Sequence, residues 1–215
     1  MNVTHCPLCD QPQAAHTPLF ARDAWRHYRR CEHCSLVWVP PAFFLSAADE
    51  KAEYDLHENS VSDPGYRRFL SRLADPLSEY IARGASGLDF GCGPAPALAR
   101  LLQARGCQVA LYDPFYYPDH EVLLDTYDFI TASEVLEHLH WPGREMARLW
   151  SLLRPGGILG VMTKRVTSQQ AFLRWHYKND PTHVCFFSDV TFSWWAQAHG
   201  AQLHLPGPDT ALLVK

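Results

Sequence analysis

The stretch Leu88-Asp89-Phe90-Gly91-Cys92-Gly93-Pro94-Ala95 decides the fold. A short apolar run holding one acid is followed by two glycines one residue apart, and a helical pattern begins at 97. Glycines at a strand-to-helix turn let the backbone bend sharply and come close to a ligand, while the helix behind them offers unpaired N–H groups. A dinucleotide-binding loop would need a third glycine at position 96, where this chain has Pro96.

Working outward, strand-like runs fall at 88–90, 108–112, 127–132, 158–162 and 211–215, and helical periodicity falls at 97–105, 144–153 and 190–199. Strands alternating with helices predict an α/β fold, a parallel or mixed sheet covered on both faces. Upstream, Phe69, Leu70, Leu73, Leu77, Tyr80 and Ile81 recur at spacings of three and four within 66–83, as one buried helix face does. Leu36-Val37-Trp38-Val39 reads as a strand stopped by Pro40-Pro41. The expected organisation is a small unit at 1–41, a helical linker or cap at 42–86, and a sheet domain at 87–215.

Composition bounds the function. The chain has 215 residues, 47% apolar and 20% charged, which excludes a disordered or fibrous protein. No run approaches the roughly 20 apolar residues that span a bilayer, so no membrane partner is expected. The opening Met1-Asn2-Val3-Thr4-His5 has neither the basic nor the apolar block of a signal peptide, so a cytoplasmic location is expected. Residues 1–75 carry 8 basic and 10 acidic side chains and residues 76–215 carry 11 and 13, a net −2 in each part. Neither part has the basic bias of a nucleic-acid footprint. The local cluster Arg22, Arg26, His27, Arg29, Arg30 fits a solvated face, a counter-charge for thiolates, or a grip on phosphate.

Seven cysteines are not an even disulfide set. Cys6-x-x-Cys9 and Cys31-x-x-Cys34 are two tight pairs, and each turn prepositions two thiolates for tetrahedral zinc. A redox dithiol would need one pair and leave the other without a role. Four protein ligands leave no open position, so the zinc is expected to be structural, in a ribbon. Cys92, Cys107 and Cys185 remain as small buried hydrophobes.

The loop at 89–95, an acid followed by Gly-x-Gly and a small residue, resembles that of class I S-adenosylmethionine-dependent methyltransferases. Asp113 closes the next strand, and the segment from Tyr127 to His138 and the turn Leu153-Arg154-Pro155-Gly156-Gly157 are also similar to that family. The resemblance covers about residues 85–215. It implies a Rossmann-like sheet that takes S-adenosylmethionine as cosubstrate. The donor site would use Asp89, Gly91, Cys92, Gly93, Asp113, Pro114, Ser133 and Glu134, with Asp113 on the ribose hydroxyls. Only 13 residues, 114–126, separate the second strand from the next, where the family places a helix, a strand and an adenine-contacting acid. The sheet is therefore expected to be shortened there, with Tyr116, Tyr117 and Asp125 as substitutes for the missing contacts.

Glu134-x-x-Glu137-His138 would share one face of a helix, and Thr182-His183 follows later. This set resembles metal-dependent O-methyltransferases, which implies Glu134, Glu137, His138 and His183 around a magnesium or manganese ion. Equally, His138 or His183 fits a general base oriented by Asp180, with Glu137 beside it, or these side chains fit a packed or binding role. The aromatic and charged stretch 172–180 suits an acceptor-pocket cover or plain packing, and Trp194-Trp195 suits core. The favoured function is O-methylation of a small-molecule or sugar-like metabolite. The alternatives are methylation of RNA gripped by the ribbon, and a donor-binding interaction module without turnover. No feature of the sequence speaks to oligomeric state.

Overall fold

The computed structural model describes residues 4–13, 18–56 and 60–215. Met1 to Val3, part of the leader reading, lie outside the described residues. In chain order the strands are β1 Thr4–His5, β2 Pro12–Gln13, β3 Ala21–Arg22, β4 His27–Arg30, β5 Val37–Trp38, β6 Ser86–Phe90, β7 Gln108–Tyr112, β8 Tyr127–Ser133, β9 Leu153–Met162, β10 Cys185–Phe186, β11 Gln202–Gly207 and β12 Thr210–Val214. The helices are α1 Ala47–Tyr54, α2 Pro64–Ser78, α3 Ala97–Ala104, α4 Pro142–Leu152, α5 Gln169–Leu173 and α6 Asp189–His199.

The main sheet runs β11-β12-β9-β8-β6-β7, parallel from β7 through β9 and antiparallel across β12 and β11. Alternate residues of its central strands face two cores, as the period of two dictates. Leu88, Ile130, Leu159 and Leu213 join one core, which extends to Tyr28, Val37 and Trp38 near the N-terminus and to Phe186 and Trp195. Phe129, Ile158, Met162 and Leu212 face the other, against Leu70, Leu73 and Leu77 of α2 and Leu98 and Leu102 of α3. The three and four spacing read in 66–83 is this buried stripe, although the helix ends at Ser78. Asp63 caps its first turn by accepting from the Gly65 N–H at 2.8 Å.

The shortened segment is real. After β7, Asp113 and Tyr117 form an isolated antiparallel bridge, a 3-10 turn spans His120–Leu123, and β8 follows. β7 is thus the edge of the sheet among the described residues. β11 goes beyond the sequence reading. None of its residues is fully buried, and of its partly covered ones only Leu203 and Leu205 are large and apolar, so its apolar signal is weak.

Residues 4–38 hold two small antiparallel pairings, β1 with β2 and β3 with β4, and β4 also pairs with β5. The second group takes a strand from far along the chain: β10 pairs with β5, with Cys185 opposite Trp38 and Phe186 opposite Val37. No helix among the described residues is long and apolar enough to cross a membrane.

Candidate active site

The glycine loop leaves β6 at Gly91, where φ is +72°, and turns again at Gly93, where φ is +61°. These are left-handed values that favour glycine. A Cβ at Gly91 would lie 2.5 Å from Val135, whereas one at Gly93 would meet nothing within 4 Å. The space beside Gly93 belongs to a cavity of about 1010 Å³ that the loop lines. Gly91 and Cys92 donate to the Tyr112 carbonyl at 2.8 and 3.2 Å, which ties the loop to the end of β7. Asp113 organises the rest: Oδ2 accepts from the Gly93 N–H at 3.0 Å, and Oδ1 accepts from Phe115 and Tyr116 at 2.9 and 3.1 Å.

Of the residues expected at the donor, Gly91, Cys92, Gly93, Asp113, Pro114, Ser133 and Glu134 line this cavity. Asp89 lies buried beneath it, accepting from Thr131 Oγ1 at 2.7 Å. Burial, reinforced by Asp113, holds its carboxyl up at about 6. Tyr116 also lines the cavity, and its hydroxyl donates to Asp55 at 2.7 Å. Tyr117 and Asp125 are absent from the cavity wall.

His138, Asp180 and His183 line the same cavity. The segment carrying Glu134, Glu137 and His138 departs from the expected helix. Glu134 takes a left-handed φ of 52° as β8 ends, and Leu136–His138 form a single 3-10 turn. The i, i+3, i+4 face therefore does not exist. Ligand atoms of Glu137, His138 and His183 lie within 4.8 Å of one another, and Glu134 falls outside that group. Glu137 is fully buried, behind the cavity wall. The Tyr177 hydroxyl joins the two acids, hydrogen-bonding Glu137 Oε1 and lying 3.3 Å from Glu134 Oε2. Burial pushes both carboxyls up, and Glu137 pushes Glu134 further in the same direction.

His183 Nδ1 lies 2.7 Å from the Tyr177 carbonyl, a contact that only a protonated Nδ1 satisfies. Its Nε2 lies 3.7 Å from Asp180 Oδ2. Asp180 accepts in turn from the Thr182 hydroxyl and N–H at 2.6 and 2.9 Å. Helix α1 closes the cavity on another side through Glu50 and Tyr54. Glu50 lies 2.7 Å from His140 Nε2, and the Tyr54 ring meets His138 edge-on at 5.2 Å. Sequence reasoning missed Glu50 and Tyr54, because a polar helix with no buried residue carries no pattern, and the particular role of Tyr177, because its partners lie about 40 residues away.

Cys6, Cys9, Cys31 and Cys34 converge, with ligand sulfurs all within 4.8 Å. Cys6–Cys34 and Cys9–Cys31 sulfurs are 3.5 Å apart. Zn–S bonds of about 2.3 Å in a tetrahedron require edges of about 3.8 Å, so the donor set fits zinc. Cys107 and Cys185 are buried as expected, whereas Cys92 faces the cavity.

The basic cluster does not stand free as a unit. Arg26 is buried, and its guanidinium is committed to backbone carbonyls between Lys178 and His183. Within 172–180, Phe172 is core, while Tyr177 reaches the cavity. Trp195 is core, as expected.

Residues 63–205 match the methyltransferase-domain family, and the chain belongs to it. Its fold, a six-stranded mixed sheet with a glycine loop after the first parallel strand, is that of the S-adenosylmethionine-dependent methyltransferases. A methyltransferase of this kind from Archaeoglobus fulgidus superposes with a TM-score of 0.54 at 15% identity, over 69% of this chain and 94% of that one. An O-methyltransferase family protein from Burkholderia thailandensis matches with a TM-score of 0.49 at 13% identity, over 77% of this chain. The chain spans 62% of that protein's length. Mitomycin 7-O-methyltransferase matches with a TM-score of 0.47 at 13% identity, over 78% of this chain and 66% of that one. No curated protein sequence matches the chain.

Proposed function

We propose that this protein moves the methyl group of S-adenosylmethionine onto a hydroxyl of a small-molecule or sugar-like acceptor. The observation that carries this reading is one cavity of about 1010 Å³ with Gly91, Gly93 and Asp113 in one part of its wall and His138, Asp180 and His183 in another. When bound, S-adenosylmethionine supplies a sulfonium methyl, and transfer forms the O–C bond as the C–S bond breaks, releasing S-adenosylhomocysteine. The chain's share is alignment and proton removal. Gly93 leaves room for the donor, and Asp113, already accepting three N–H bonds, keeps one acceptor position on Oδ2 for a ribose hydroxyl. With Nδ1–H held by the Tyr177 carbonyl, His183 Nε2 is the basic nitrogen that takes the hydroxyl proton, and Asp180 favours the imidazolium that results. Tyr54, Phe115 and Trp141 on the wall suit a ring-bearing acceptor. The net charge of −4 and the commitment of Arg26 argue against an RNA acceptor.

A second reading places a magnesium or manganese ion on Glu137, His138 and His183. It is favoured by their clustering and by Glu137 Oε2, a buried oxygen with no hydrogen-bond partner among the described residues. Such an ion would lower the pKa of a bound hydroxyl. Transfer that rises on adding magnesium or manganese to zinc-loaded protein supports this version, and indifference to both ions removes it.

The test is incubation of the protein and a methyl-labelled donor with cell extract. Label is expected in the small-metabolite fraction. Label in RNA would overturn the acceptor class, and donor binding without any labelled product would leave a binding module. The Asp113→Ala variant should bind S-adenosylhomocysteine about 10- to 100-fold more weakly, the loss of one hydrogen bond to a charged group. Unchanged affinity by calorimetry would remove Asp113 from the donor site.

A further inference from the structure

Arg26 sits at the tip of the β3–β4 hairpin and points into the segment that carries Asp180 and His183. Nη1 donates to the carbonyls of Pro181 at 3.2 Å and His183 at 3.0 Å. Nη2 donates to Asp180 O at 2.9 Å and to Lys178 O. The two terminal nitrogens of one guanidinium thus gather four carbonyls from six consecutive residues. The same hairpin makes a second attachment: Asp23 Oδ2 pairs with Lys178 Nζ at 2.9 Å, and both side chains are largely buried. Asp23 also accepts from the Arg26 and Trp25 N–H groups, which fixes the direction in which Arg26 leaves the turn. Tyr28 donates to the same carboxylate at 2.8 Å.

Four converging carbonyls repel one another and do not stay together without a cation among them. A planar fork with four N–H bonds in fixed directions satisfies them, and a lysine ammonium does not reach all four. What the fork holds is the backbone that aims the site. The carbonyl that fixes the His183 ring belongs to Tyr177, one residue before the first carbonyl in the set. The Val184 N–H donates to the Glu137 carbonyl at 2.8 Å, so the same segment also sets the turn bearing His138.

We propose that Arg26 is a positioning residue for the acceptor side of the site, which makes the cysteine-bearing N-terminal unit a working part of the methyl-transfer centre. This rests on the reading of Asp180 and His183 as acceptor-side groups. Arg26 is absent from the cavity wall, and its guanidinium donates to backbone carbonyls. It acts through the 178–183 backbone on the orientation of His183 and the place of Asp180.

The test uses the full, zinc-loaded chain with ¹⁵N-labelled histidine, observed near pH 8, above the ordinary imidazole range. In the wild type, His183 is expected as the Nδ1–H tautomer. Arg26→Lys and Arg26→Gln should convert it to a mixture of tautomers, and Lys178→Met should do the same to a smaller extent. Affinity for S-adenosylhomocysteine should stay within about twofold, because the donor loop shares no partner with Arg26. Arg165→Gln is the control. That arginine is another clamp with a largely buried side chain, donating to the carbonyls of Thr210 and Gly207 at 2.9 and 2.6 Å, and its loss should leave His183 unchanged. A folded Arg26→Lys protein that keeps the Nδ1–H tautomer overturns the proposal, as does Arg165→Gln producing the same mixture. If neither Arg26 variant folds, Lys178→Met decides, and an unaltered His183 there overturns it. Failure of the wild type to bind S-adenosylhomocysteine would count against the donor site alone, since the tautomer reports on Arg26 independently.

Discussion

Asp89 ties the donor loop to the pH dependence of the fold. Burial, opposed by the Thr131 hydrogen bond and aided by Asp113, raises its carboxyl to about 6, against about 4 in an unfolded chain. Below pH 4 both states hold the proton and the stabilising contribution is fully present. Between pH 4 and 6 the unfolded chain releases a proton that the folded chain keeps, so stability falls as pH rises. Above 6 the loss is complete, up to about 3 kcal/mol for a shift near two units. Asp89→Asn should therefore flatten the fall of the urea midpoint between pH 4 and 6. Glu134 and Glu137, raised in the same sense, extend the fall toward higher pH in both proteins. An unchanged slope below pH 6 in the variant would sink this account. At this scale the convergence of Gly91, Gly93 and Asp113 on one cavity was legible because they sit at strand ends that the sequence marks. Arg26 was not legible, because its partners lie 152 to 157 residues further on and a cluster of arginines reads the same whether it is solvated or buried.

Among the elements, the two-residue strand β10 has consequences out of proportion to its length. It belongs to the sheet β10-β5-β4-β3, so the cysteine-bearing unit and the segment following Asp180 share hydrogen bonds. The Val39 N–H adds another, to the Val184 carbonyl at 2.8 Å. A zinc ion held by such a cluster would supply on the order of 10–16 kcal/mol of apparent folding free energy. Its removal should therefore open 178–186 together with residues 4–38, a wider effect than loss of the ribbon alone. α2 and α3 pack on the other face of the main sheet and should keep their protection. Hydrogen exchange before and after a zinc chelator measures this, and protection retained at Cys185 and Phe186 while the cysteine turns open would contradict it. The strands of the main sheet were readable because β8 and the Ile158–Met162 half of β9 are largely apolar and buried, and because β6, though only Leu88 and Phe90 are large and apolar in it, runs into the glycine loop. The half-exposed β11 and the short β10 carry no such run, and only tertiary pairing makes them strands.

For the molecule as a whole, the question is whether the cysteine-bearing unit is an appendage or one wall of the core. Tyr28, Leu36, Val37, Trp38 and Val39 are buried in the same cluster as Phe172, Phe186, Phe192 and Trp195, and as Leu136 and Met146 beside the site. The Phe172 ring meets Tyr28 and Phe186 edge-on at 5.0 and 5.1 Å, so aromatic packing runs continuously from one part to the other. The Gly143 N–H at the start of α4 donates to the Pro7 carbonyl at 3.1 Å, fastening the first cysteine turn to the methyltransferase sheet's own helix layer. Separating the two parts would expose several large aromatics at once, each worth roughly 1.5–3 kcal/mol of burial. With zinc bound, neither part should then unfold in urea while the other stands. In urea, release of zinc to a metal indicator is expected to coincide with loss of far-ultraviolet ellipticity, which reports mainly the main sheet and its helices. Zinc leaving in an earlier, separate transition with ellipticity intact would instead make residues 1–41 an independent unit. The coupling argued for Arg26 would then have to be carried by the hairpin contacts alone.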